Sequence, residues 1–461
     1  MGKIMKRIAL LFCTLVSGLF AWVKNGTVFS TQGAQLDVMA AIAKAVPGDT
    51  VRLPAGTFVW GTRQTSVYIP PGVTLAGAGP AKTTIRIAMD APQWGSGTIT
   101  LSGAATVRDL AVTQRGGGAT TAFSANGKNG WRITNVVYNS SPSAGYFVYA
   151  GSYGLIDNCV INGGSGSDEW IFTRGPADSW QTPNSFGTAD AVYVEDCTFN
   201  VAGYTDFNSN ARGVVRFCTI TGPIKIDAHG LASNTPARSV RQMEVYGNHW
   251  TGAGGYWEAF DLRGGTGMVF DNTCDNGVGA VAPYQNPRLL LEEYGTGALW
   301  PNFGNVFQTP ANYPIPDQIG VGQDPRVAGS APYYLWNNVQ AGASWQIIWP
   351  PVADGALALY RTQTGNPAAR FTMQDIVAAD RDYFIQGASF DGSGGVGRGT
   401  FAQMNAITPT KKGVGFWVTD QGSWKASAPG TSGQFYVWSG SAWVLTYTPY
   451  TYPHPLRGKS P

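Results

Sequence analysis

Residues 194–199 read VEDCTF, and residues 215–220 read VRFCTI. Each opens on an apolar residue, passes through a free position and a third that favours polar residues or glycine, and returns to an apolar residue near the sixth place. The pattern recurs as VRDLAV (107–112), ITNVVY (133–138), IDNCVI (156–161), VYGNHW (245–250) and VFDNTC (269–274). Start-to-start spacings are 26, 23, 38, 21, 30 and 24 residues.

A second short β-type piece precedes most of these. It reads AFSA (122–125), YFVYA (146–150), WIFTR (170–174), TDFNSN (205–210), IKIDAH (224–229) and AFDLR (259–263). A unit of roughly two dozen residues carrying two or three short strands predicts a β-solenoid. One coil cannot bury its inner face alone, whereas stacked coils share a continuous core of parallel strands.

The segment AQLDVMAAIAKAVPGD (34–49) has apolar residues at 36, 39, 42 and 46, one helical face closed by Pro47-Gly48. It predicts an N-terminal helix over 34–46 that caps the first coil, whose open edge would otherwise invite aggregation. TVRLPAGTFVW (50–60) and VYIPPGVTLAGAG (67–79) then supply strands broken by turns. Past residue 300 the repeat fades. Residues 386–400 read as a linker by composition, and FYVW-SGSA-WVLTY (435–447) reads as a β-hairpin. The predicted organisation is an export signal (1–21), a β-helix with its capping helix (34–345), a linker or capping segment (346–400) and a small Trp-rich module with its tail (401–461).

Composition agrees with an all-β chain. There are 61 Gly, 16 Trp and 20 Tyr, and charged residues make up only 13%. A net charge of +3 gives no reason to expect nucleic acid or an anionic membrane surface as partner. Three positive charges in 2–7 precede the apolar run Ile8–Phe20, which reads as a secretory signal too short to span a bilayer. The expected location is therefore extracellular or at the cell surface, with no membrane span after signal removal. Cys159, Cys197 and Cys218 share one repeat position; core stacking of thiols is the favoured reading, with a disulfide open.

The helix, GDTVRLPAGTF (48–58), GVTLAGAG (72–79) and the DNC-type coils together resemble the right-handed parallel β-helix superfamily of pectate lyases and polygalacturonases, over residues 34–300. The resemblance implies a right-handed parallel β-helix and a polysaccharide as partner. AHG (228–230) is similar to the glycine-histidine-glycine of polygalacturonases, with the first glycine absent. The stretch DAHG…RSVRQMEVYGN…DLRGGTGMVFDN is most similar to secreted β-helix proteins of unassigned activity.

Aligning the second strand set places Phe123, Phe147, Ile171, Phe207, Ile226 and Phe260 inward. Ser124, Val148, Phe172, Asn208, Asp227 and Asp261 then point outward. In the last coils this face turns polar, which predicts one exposed patch. Its catalytic candidates are Lys225, Asp227, His229, Asp261 and Arg263. Paired carboxylates suit glycoside hydrolysis; Lys225, Arg241 or Arg263 suits proton abstraction in β-elimination, with His229 as base or acid. Asp206, Asn208 and Arg174 extend the patch as binding residues. Two long loops leaving the same corner (171→194 and 226→245) carry Trp180, Arg238 and Arg241, with Glu244 at the end of the second; these are expected to bind substrate. No cofactor is assigned from the sequence, and Ca²⁺ on the carboxylates is a candidate. The expected function is a secreted polysaccharide lyase or glycoside hydrolase acting in a groove along the solenoid. The alternative is a non-catalytic adhesin-like or structural solenoid that binds glycans.

Overall fold

The computed structural model describes residues 22–458, apart from 63–64, 89–96, 115–119, 142–144, 164–168, 222–223, 231–237, 252–257, 276–279, 283–316, 318, 324–326, 328, 341–342, 345–346, 348–356, 359–360, 363 and 371. The expected export signal (1–21) lies outside the described residues. The chain forms two compact units, one from Met1–Tyr149 with Ile156–Gly164, the other from Ala150–Leu155 with Ser165–Lys459.

In the first unit, strands Val28–Ser30, Thr50–Arg52, Thr74–Ala76, Thr106–Gln114 and Trp131–Ser140 pair in parallel, with Phe29, Val51, Leu75, Val107 and Ile133 in one register column. All five are buried. A second wall stacks Val67–Ile69, Ile99–Leu101 and Phe123–Ala125, also in parallel. The expected helix is present as Gln35–Ile42, but on a different face. Leu36 and Val46, read as core residues, are 65% and 57% exposed. Ile42 of the expected face is buried, and Gln35, Asp37, Val38 and Ala41 are buried with it. Polar contacts set the rotation: Asp37 accepts the Gln32 backbone N–H, and the Gln35 amide bonds Thr65 O and Gly61 N.

In the second unit, Val192–Glu195, Arg212–Arg216, Gln242–Tyr246, Thr266–Phe270, Tyr333–Trp336 and Tyr383–Ile385 run parallel. Val194, Val215, Val245, Val269, Leu335 and Ile385 form their register column. Its valines are wholly buried, as the repeat requires. The column continues to Ile385, beyond the expected end of the solenoid at 345. A second wall stacks Glu169–Thr173, Gly203–Phe207, Ile224–Ala228, Glu258–Leu262 and Ala280–Ala282. Each unit is thus built as a parallel β-helix.

The third position of the repeat has a backbone reason. Asp109, Asn135 and Asn158 in the first unit, and Asp196, Phe217, Gly247, Asp271 and Asn337 in the second, all have φ between 51° and 67°. That left-handed turn favours Gly, Asn and Asp. Phe217 is the bulky exception. Its ring packs 4.2 Å from Tyr452, and a Cβ on Gly247 would lie 2.6 Å from it. Residue 247 is therefore glycine for space as well as for φ.

The position after the turn faces inward. Cys197 and Cys218 fill it as buried thiols. Asn248, Asn272 and Asn338 then fill it as a ladder. Their amides donate to Val215 O (2.9 Å), Val245 O (2.8 Å) and Val269 O (2.9 Å). Their carbonyls accept the backbone N–H of Cys218, Asn248 and Asn272. Each of these three ladder amides is thereby satisfied on both its nitrogen and its oxygen.

The C-terminal strands Val396–Gly399, Gly415–Val418, Gln434–Trp438 and Trp443–Tyr447 form a four-stranded sheet. Residues 396–399, read as linker, are a strand. Glycine is present there for close packing: a Cβ on Gly397 would sit 2.5 Å from both Phe390 and Phe416. The sheet packs on the outer face of the second unit's coils, over stacked Tyr246, Phe270 and Trp336, whose centroids are 4.5 and 4.4 Å apart. These rings are buried in packing rather than offered to a sugar.

Candidate functional site

Three strands of the second unit's second wall carry the charged patch. Their inward residues are Thr205, Ile226 and Phe260, all buried and paired in register. Alternation forces the next residues outward. Asp206, Asp227 and Asp261 therefore stand side by side as one column on three consecutive coils. Asn208, His229 and Arg263 follow two residues later, their backbone N–H groups bonding Thr173 O, Phe207 O and Ala228 O of the preceding strands.

This register differs from the sequence alignment by two residues in one coil. Asp206, not Asn208, aligns with Asp227 and Asp261. A two-residue slip preserves parity, so both readings keep the same face and only the rung changes.

The larger correction concerns exposure. The patch was expected to be solvated, yet Asp206 and Asp227 are 1% exposed and Asp261 is 0% exposed. Cations from neighbouring rungs grip them. Lys225 Nζ lies 2.7 Å from Asp261 Oδ2. Arg263 makes two bonds to Asp227, one from Nε at 3.0 Å and one from Nη2. Asn208 donates to Asp206 at 3.0 Å. Asp261 Oδ1 has no hydrogen-bond partner among the described residues. The side chains of Lys225 and Arg263 retain 17% and 10% exposure, and His229 is half-buried.

The electrostatics split the carboxylates. Burial, reinforced by neighbouring Asp227, pushes Asp261 up to about 7 against the pull of Lys225 and Arg263. Asp227 is also opposed by burial, but Arg263, His229 and Lys225 hold it below the usual carboxylate range. Burial and the Arg263 charge push His229 down to about 4, so its imidazole is neutral at neutral pH. The Nδ1 of that neutral ring lies 2.8 Å from Gly230 O and donates to it, which leaves the lone pair on Nε2. Lys225 and Arg263 are pushed up despite burial by the carboxylates they hold.

Ligand atoms of Asp206, Asp227 and His229 lie within 4.8 Å of one another and could hold a metal ion. Ca²⁺ takes six to eight oxygens, so it would need oxygens beyond these two carboxylates, and Asp227 already holds Arg263. A nitrogen donor suits a transition metal better.

Of the other expected binding residues, Arg174 is the register neighbour of Asn208 at the edge of the patch, whereas Trp180, Arg238, Arg241 and Glu244 are engaged elsewhere. Trp180 is buried and donates from Nε1 to Ser239 O. Arg241, also buried, is held by Ser179 O, Asn184 and Thr182 O. Arg238 forms a two-point ion pair with Asp317 at 2.7 and 2.6 Å. Glu244 accepts from Tyr447 (2.6 Å) and Gly187 N (2.9 Å), and burial pushes it up to about 6. Arg174 is exposed, with its guanidinium 5.2 Å from the Phe172 ring centre. Arg241 and Trp180 thus tie the two long loops to each other, and Arg238 ties the second to Asp317. Asp317, which holds the second loop through Arg238, went unread because it lies 79 residues away in sequence.

The strand registers make the architecture of each unit a parallel β-helix. An alginate lyase from Paenibacillus sp. aligns over 55% of this chain and 97% of its own, at 12% identity and a TM-score of 0.35. The catalytic domain of a GH87 alpha-1,3-glucanase in complex with tetrasaccharides aligns over 57% of this chain and 55% of its own, at 15% identity and a TM-score of 0.33. The A-module of the Azotobacter vinelandii mannuronan C-5 epimerase AlgE4 aligns over 52% and 91%, at 15% identity and a TM-score of 0.20. No family model and no curated protein matches the sequence. Scores this low carry no argument about activity; the fold rests on the strand registers above. Among the described residues, no helix is long and apolar enough to cross a membrane.

Proposed function

We propose that the chain is a secreted polysaccharide-cleaving protein that acts on an acidic glycan by β-elimination at the outward face of Ile224–Ala228 and Glu258–Leu262. The observation that carries this reading is His229: half-buried and neutral, with its Nδ1 spent on Gly230 O, its Nε2 lone pair left over, and the charges of Lys225 and Arg263 acting on the ring. Those cations would offset the charge of a uronate carboxylate and of the carbanion that develops next to it. His229 Nε2 takes the C5 proton. The electron pair forms the C4–C5 double bond, and the C4–O4 bond breaks. The imidazolium then returns its proton to the departing O4, so one residue serves as base and acid. Asp227 and Asp261 are positioning residues that hold Arg263 and Lys225.

The test is a panel of acidic and neutral polysaccharides, with and without added Ca²⁺. It is read by the ultraviolet absorbance of unsaturated uronates and by reducing-end release. The expected result is absorbance on an acidic polymer that falls at least a hundredfold in His229→Gln. Reducing ends without absorbance would point to hydrolysis.

A second reading is favoured by the burial of Asp206, Asp227 and Asp261. Carboxylates that are out of solvent and already held by neighbours can simply be structural, in a non-catalytic solenoid that binds glycans. Binding with no turnover on any polymer, unchanged in His229→Gln, would establish that reading.

A further inference from the structure

The GVTLAGAG stretch (72–79) shapes a second site, in the first unit, that the reaction above does not use. Arg52, Ala76 and Arg108 occupy one outward register column on consecutive coils, while Val51, Leu75 and Val107 fill the inward one. Two strand spacings put the arginine backbones about 9.6 Å apart. The residue between them is alanine, which leaves the space open. Beside it the chain turns at Gly77-Ala78-Gly79. A Cβ on Gly77 would lie 2.3 Å from Asp109 O, so only glycine lets the turn close onto the next coil. The result is an open cavity of about 440 Å³ lined by Arg52, Gly77, Ala78, Gly79, Arg108 and Asp109.

Its charge is unbalanced. Asp109 is taken up by Arg108 Nη1 at 2.5 Å and by Asn135 Nδ2 at 2.7 Å. Arg52 is exposed and makes no ion pair among the described residues. Arg108 Nε is buried without a hydrogen-bond partner among the described residues. The backbone N–H groups of the turn are already spent: Gly77 N on Arg108 O, Gly79 N on Asp109 O and Ala78 N on Thr83 Oγ1. The donors left to a ligand are thus guanidinium groups, and guanidinium matches planar or tetrahedral oxyanions in two-point fashion.

We infer that this cavity binds the anionic group of a saccharide, bridged between Arg52 and Arg108. The anion requirement comes from the arginines; only the choice of a saccharide rests on the proposed glycan reading. Carboxylate and sulfate ester share the chemistry.

The experiment is arginine footprinting of the full chain with phenylglyoxal, read by mass spectrometry. The probes are trigalacturonate (carboxylate), a short dextran sulfate (sulfate ester) and laminaritriose (neutral). The expected result is that one of the two anionic probes slows modification of Arg52 at least fivefold. Arg86, exposed on a neighbouring strand outside the cavity, should react unchanged, and laminaritriose should protect nothing. In Arg108→Ala the probe concentration needed to protect Arg52 should rise at least tenfold. Protection by neither anion, equal protection by laminaritriose, equal protection at Arg86, or an unshifted curve in Arg108→Ala would each overturn the inference. The footprint reads binding at named arginines, so it stands or falls apart from any result on His229.

Discussion

Asp227 and Asp261 face the same way from adjacent parallel strands in direct register, yet their proton affinities diverge. Arg263 grips Asp227 at two points and keeps it ionised, whereas burial and the neighbouring Asp227 charge push Asp261 up to about 7. Two carboxylates this close cannot both be fully charged without a cation each, and the cations are unequally placed.

Asp227→Asn should therefore destabilise the protein rather than leave its melting unchanged. The substitution removes the two-point partner of Arg263, whose side chain is 10% exposed, and leaves it only the looser contact with Asp261 at 3.8 Å. Breaking one side of a buried pair costs about 3–5 kcal/mol. Urea midpoints of the variant and the parent measure it, and a change within about 0.5 kcal/mol, the range of ordinary surface substitutions, would contradict the ion-pair assignment. The double variant Asp227→Asn with Arg263→Met should recover part of the loss.

The same grid gives opposed pH dependences. Asp261 keeps its proton up to about 7 when folded and releases it near 3.8 when unfolded. The folded state then binds more protons across that window, so this group lowers stability as pH rises through it. His229 runs the other way: its folded value is about 4 against 6.5 unfolded, so it raises stability as pH climbs between them. Between pH 4.5 and 6.5, His229→Gln should lose stability with rising pH more steeply than the parent. Asp261→Asn should lose it less steeply, or gain. Melting at three pH values decides this; parallel curves for all three proteins would refute it.

Arg216 should anchor the C-terminal segment. It is wholly buried, bonds Glu195 (2.7 Å) and Tyr246 (2.8 Å), and donates to Tyr450 O (2.7 Å) and Thr451 O (2.9 Å). Arg457 holds the other oxygen of Glu195 at 2.6 Å. Arg216→Met leaves Glu195 short of a counter-ion and should cost about 3–5 kcal/mol. Limited proteolysis should then cut within 448–458, where the parent resists. Equal resistance would show that aromatic packing alone holds the segment.

Asn272 sits mid-ladder, wholly buried; its Nδ2 donates to Val245 O and Asn338 Oδ1, and its Oδ1 accepts from Asn248. Asn272→Ala strands the Val245 carbonyl and the Asn248 N–H, each costing about 1–3 kcal/mol when left unmade. The expected fall in stability is about 2–5 kcal/mol, read from denaturant midpoints. A neutral outcome would mean that the stacked amides are not the partners of those backbone groups.

Part of this was legible from local pattern. The valines at 194, 215, 245 and 269 recur at steps of 21, 30 and 24 residues because each must fill the same inward place while the loops between them vary. The third repeat position favours Asp, Asn or Gly because the backbone turns left-handed there. The strand Tyr333–Trp336 belongs to the same series but went unread, because Asn338 follows Asn272 by 66 residues and the insertion hides the period. The face of helix Gln35–Ile42 was misread because hydropathy ranks Leu36 above Gln35, while the amide of Gln35 bonds Thr65 and Gly61 across a tertiary contact.

Sequence alone determined the parity of Lys225, Asp227 and His229. With Ile226 buried, alternation sends its neighbours to the other face of the strand, whatever lies over them. Only the tertiary structure decided which rung faces which, and therefore which charges meet. Lys225 reaches forward to Asp261 and Arg263 reaches back to Asp227, across strands 36 residues apart. Burial is likewise a property of the assembled coils: a side chain that points away from the core is exposed only if nothing else covers it. Asp227 and Asp261 are covered, and that turns a surface charge pattern into a buried ion-pair grid.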